Sequence, residues 1–131
     1  MDQGPLVKEQ IDAGARFVQE FAKYTPVQAA FWLKATYDNT WFLYVVGDEL
    51  KGAKVWEAHY QAALITSAMP TPWFGPIQIK VIATDHPIAK AVLEIQEKYP
   101  QILPFRLGDG RLGDETIEDA YIYRLPITVP G

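Results

Sequence analysis

The stretch that most constrains this chain is residues 29–46, Ala-Ala-Phe-Trp-Leu-Lys-Ala-Thr-Tyr-Asp-Asn-Thr-Trp-Phe-Leu-Tyr-Val-Val. Two runs of aromatic and β-branched side chains flank Asp38-Asn39, a pair whose residues tolerate turn conformations, so the stretch predicts a β-hairpin. A two-residue turn there sets Ala35 opposite Phe42, Leu33 opposite Tyr44 and Phe31 opposite Val46 on one side. It sets Thr36 with Trp41, Lys34 with Leu43 and Trp32 with Val45 on the other. Both sides are apolar, and each large side chain left in water forfeits roughly 1.5 to 3 kcal/mol of transfer free energy. The hairpin is therefore expected at the centre of a sheet, covered on both faces.

The remaining elements follow from periodicity. Residues 5–24 read as a first helix with Val7, Ile11, Gly14, Val18 and Phe21 on one stripe, stopped by Thr25-Pro26. Gly14 in its middle costs about 1 kcal/mol relative to Ala and reads either as a close backbone approach or as a tolerated imperfection. After the hairpin, residues 53–68 read as a second helix that is expected to bury Trp56, Tyr60, Ala63 or Leu64, and Ser67. Residues 77–84 read as a strand. Asp85-His86-Pro87 opens a third helix ending at Tyr99-Pro100, with Asp85 as its expected N-cap. Residues 102–107 and 116–124 complete the strands, the first interrupted by Pro104 and so expected near an edge.

The result is an α+β domain spanning 1–131 in the order α-β-β-α-β-α-β-β, with residues 1–4 and 126–131 as loose tails. Two right-handed crossovers would build one mixed sheet of about five strands. The second and third helices are expected on one face and the first alone on the other. A single helix about 10 Å wide cannot cover five strands, so a partner is expected to hide the surface near Trp32, Trp41 or the Trp73-Phe74 loop.

Composition closes several routes. Cysteine is absent, which excludes thiol catalysis and thiolate metal sites and points to a cytoplasmic setting. No run is long and apolar enough to span a membrane, and no export signal is seen. The net charge of −4 is evenly spread, with six Lys/Arg and eight Asp/Glu in residues 1–65 and the same counts in 66–131. No basic stripe emerges, so nucleic-acid binding is not expected. Ser67 is the only serine and lies outside any nucleophile elbow.

Gly108-Asp-Gly-Arg-Leu-Gly113 matches G-x-G-x-x-G by letter. A dinucleotide fingerprint needs a helix directly after the glycines, whereas a strand follows, and the net charge over 106–119 is −3. A tight hairpin connection with positive φ explains the glycines better. With only His59 and His86 available, no metal-ligand spacing exists, and no cofactor is implied. His59, between Trp56 and Tyr60, reads as a partly buried structural histidine.

Two functional expectations remain. In the first, the domain is a non-enzymatic interaction or regulatory module that self-associates through its aromatic surface, with Trp32 and Trp41 at the interface. In the second, it is a small enzyme or small-molecule binder. Asp85 and His86, following a buried strand and opening a helix, then meet Arg106 and Arg111 and the Trp73-Phe74 loop; His86 is the acid-base group and an arginine holds an anion.

Overall fold

The computed structural model describes residues 8–35, 40–69 and 78–125. Among these residues the elements run α1 (Lys8–Phe21), β1 (Ala29–Ala35), β2 (Trp41–Val46), α2 (Lys54–Ala68), β3 (Ile79–Ile82), α3 (Pro87–Lys98), β4 (Phe105–Leu107), β5 (Gly110–Leu112) and β6 (Glu115–Ile122). The expected α+β order holds, with one addition. The glycine-rich stretch contributes β5, which pairs antiparallel with β6 through Gly110–Ile117 and Leu112–Glu115. Gly113 closes the hairpin at φ +64°, the left-handed geometry that disfavours a Cβ. The strands form one mixed sheet in the order β3-β2-β1-β6-β4, with β5 extending along β6.

β1 is the centre, paired antiparallel with β2 on one side and β6 on the other. Phe31 faces Tyr44, Leu33 faces Phe42 and Lys34 faces Trp41, an offset of two residues from the register that a two-residue turn would impose. An even offset leaves every side chain on its expected face, because strand side chains alternate with period two. The Asp38-Asn39 turn itself lies outside the described residues, as do both expected tails.

Of the two expected crossovers, only β2-α2-β3 joins parallel neighbours. The chain leaving β3 through α3 arrives instead beside β6 at the far side of the sheet, where β4 runs antiparallel.

The helices are distributed differently from the expectation. α1 and α2 share one face, where Phe17, Val18, Phe21, Ala58 and Ala62 pack on Trp32, Trp41, Leu43, Val45 and Ile79. α3 lies on the other, where Ile88, Ala89 and Val92 meet Phe31, Leu33, Val46, Ile117 and Ile122. This second face needs no second helix, because Leu112 of the β5–β6 hairpin and Leu103 fold in alongside α3. On the first face α1 and α2 together leave Trp32 and Trp41 0% and 1% exposed, so the shielding expected from a partner comes from the chain itself.

Local detail explains several sequence features. A Cβ on Gly14 would collide with the Tyr123 hydroxyl and lie 2.7 Å from Trp32 Nε1, so this glycine marks a close approach of α1 to the sheet. The Trp32 indole N–H donates to the Tyr123 hydroxyl at 2.8 Å, and that hydroxyl donates to the Ile11 carbonyl at 2.6 Å. Two polar groups deep in the core are thereby satisfied. Lys34, a cation on the same face, is held by Glu118 at 3.1 Å.

Candidate functional site

The structure gives each described residue proposed for a catalytic or ligand site its own local engagement. His86, rather than Asp85, caps α3: its Nδ1 accepts the Ile88 amide at 3.1 Å, with Pro87 in the first turn. That ring nitrogen is thereby engaged in satisfying an otherwise unpaired amide at the helix N-terminus. Asp85 is exposed beside it. Arg106 is bound on the sheet, its guanidinium reaching Asp119 at 2.8 Å. Arg111 is exposed on β5 and donates to the Asp114 carbonyl at 3.4 Å. The β5–β6 hairpin does approach the start of α3, since a Cβ on Gly113 would come within 2.8 Å of the Pro87 carbonyl. That approach is backbone against backbone. Trp73 and Phe74 lie outside the described residues.

The carboxyl ends of β2 and β3 are the place where an open α/β sheet offers a crevice, because α2 and α3 leave them toward opposite faces. Here hydrogen bonds bridge the loops that follow β2 and β3. Asp48 accepts from Thr84 Oγ1 at 2.9 Å on one oxygen and from Gln28 Nε2 at 3.0 Å on the other, while the Asp48 amide donates to Gln28 Oε1 at 2.6 Å. Among the described residues no group of three or more His, Asp or Glu side chains is arranged to hold a metal ion. His59, expected partly buried, is exposed on α2.

The feature that stands out lies on α2, and it reverses the expected orientation of that helix. Its buried residues are the small ones, Ala58, Ala62 and Thr66. Trp56, Tyr60 and Leu64, each one turn from the next, face solvent at 82%, 63% and 48% exposure. Small inner residues let α2 lie close to α1 and the sheet, which outweighs the gain from burying larger ones. The two helices run antiparallel. Lys54 Nζ at the start of α2 stands 4.5 Å over the ring of Tyr24, just past the end of α1. Further along, Leu64, Ile65 and Met69 share a groove of about 490 Å³ with Arg16, Gln19 and Glu20. The groove opens beside Leu64, so the apolar stripe runs directly into it.

Charge leaves the stripe clear. Glu57 on its flank pairs with Lys54 at 3.8 Å, and Glu20 at the groove rim pairs with Lys23 at 2.8 Å. Contact with Tyr24, over whose ring it stands, and the nearby Glu57 carboxylate hold the Lys54 ammonium above its usual range.

No family model, curated protein or solved structure matches the chain. The fold defines its class: an α+β domain with a six-stranded mixed sheet and helices on both faces. Among the described residues no helix is long and apolar enough to cross a membrane.

Proposed function

We propose that this domain is a non-enzymatic interaction module that self-associates through the outer face of α2. The observation that carries the reading is the exposure of Trp56, Tyr60 and Leu64 in one continuous stripe on a helix whose inner face is already packed. The three side chains leave roughly 400 Å² of apolar surface in water, about half of what each partner contributes to a standard interface. Isolated exposed hydrophobes are ordinary on protein surfaces, whereas a contiguous aromatic stripe beside a groove marks a docking surface. The aromatic surface of this reading is thus the α2 stripe, in place of Trp32 and Trp41. We place the protein in the cytoplasm on the strength of its cysteine-free composition.

Sedimentation equilibrium tests this directly. The native chain is expected to associate with rising concentration, and Trp56→Glu, which lies outside the core, to sediment as a monomer with an unchanged melting curve. A native chain that stays monomeric up to about 1 mM, where an interaction of about 4 kcal/mol is still detectable, overturns the reading.

A further inference from the structure

We infer, resting on that self-association, that two copies pair α2 antiparallel about a two-fold axis at Tyr60, each seating its Trp56 in the groove between α1 and α2 of the other. The stripe is symmetric about Tyr60, with Trp56 one turn before it and Leu64 one turn after. An axis through Tyr60 therefore sets each Trp56 against the partner copy's Leu64, and Leu64 forms the wall of the 490 Å³ groove. The same patch supplies the knob and the hole, which is what an isologous interface requires.

The chemistry of the groove suits an indole. Leu64, Ile65 and Met69 line one side of it, and a thioether packs well against an aromatic ring. Arg16 stands at the rim on the α1 side, where a guanidinium over an indole face is favourable. Seating an aromatic side chain of about 200 Å² in each groove brings the groove walls into the contact, moving the buried area per copy toward the roughly 800 Å² of a standard interface. Antiparallel helices also oppose their macrodipoles favourably. A parallel pairing would stack Trp56 on Trp56, align the dipoles and leave both grooves empty.

A chain without cysteine permits single-cysteine mapping. Under mild oxidation Tyr60→Cys is expected to cross-link to itself. Trp56→Cys and Leu64→Cys are expected to cross-link when the two proteins are mixed and far less when each is alone. Ala68→Trp fills the groove from an exposed position, and is expected to weaken association at least tenfold without lowering the melting temperature. Preferential self-cross-linking of Trp56→Cys, or unaltered association of Ala68→Trp, overturns the antiparallel, groove-seated arrangement while leaving self-association standing. A native chain that does not associate overturns both.

Discussion

Tyr123 shows how much a single residue holds in this fold. Its hydroxyl accepts from Trp32 and donates to Ile11, linking β1 and the segment after β6 to α1 across 91 and 112 residues of sequence. Burial pushes its phenol well above the usual tyrosine range, only partly offset by the Trp32 hydrogen bond. A phenol with a raised folded pKa keeps its proton when the unfolded chain has lost it. Stability is then unaffected below the ordinary value of 10.0 and falls above it, by up to about 1.4 kcal/mol per pH unit for each such group. Tyr123→Phe is expected to cost about 1 to 3 kcal/mol at neutral pH, because the Trp32 N–H loses its acceptor, and to flatten that alkaline decline. Urea titrations at pH 7 and between pH 10 and 11 check both. Nothing in the sequence pairs Tyr123 with Trp32; Gly14 hinted at a close approach in α1, and only the folded chain shows what approaches.

At the scale of elements, α2 is the instructive case. Its position was legible, since residues 53–68 were expected and Lys54–Ala68 is found. The face was not. Two stripes coexist in this helix, a large one through Trp56, Tyr60 and Leu64 and a small one through Ala58, Ala62 and Thr66, and burial energy alone favours the large. The choice was made by geometry that sequence does not display, the spacing between α2, α1 and the sheet. Size tolerance should therefore invert along the helix. Ala62→Leu is expected to destabilise by about 1 to 3 kcal/mol through overpacking, while Leu64→Ala changes stability by no more than about 0.5 kcal/mol. Thermal melts of dilute protein distinguish the two. α3 behaved more simply, because Pro87 marked its start; Ile88 and Val92 turn inward, while Tyr99 just past its end is exposed.

For the whole molecule, the doubly apolar hairpin was read correctly and its cover was not. Phe31 and Leu33 lie on one face of β1 and Trp32 on the other, as alternation requires. The deficit of helices was an overcount of what helices must do, since β5 was unseen and Leu112 and Leu103 complete the second core. The candidate ligand site was legible only as separate residues. His86 is a cap, Arg106 is ion-paired, and the tie among Gln28, Asp48 and Thr84 joins positions that no local pattern connects.

The insertion of β6 between β1 and β4 has a consequence for how the protein is made. Phe31 pairs with Ile122, so during synthesis the fully buried central strand waits until residue 122 has left the ribosome before its second neighbour arrives. Until then β1 presents a bare edge, the kind of surface on which nascent chains stick to one another. A product terminated after Gly113 should accumulate as insoluble material while the full chain stays in the supernatant, a fractionation that a simple spin and gel would read. Selection on such a protein would act on the speed and chaperoning of its birth as much as on its finished stability.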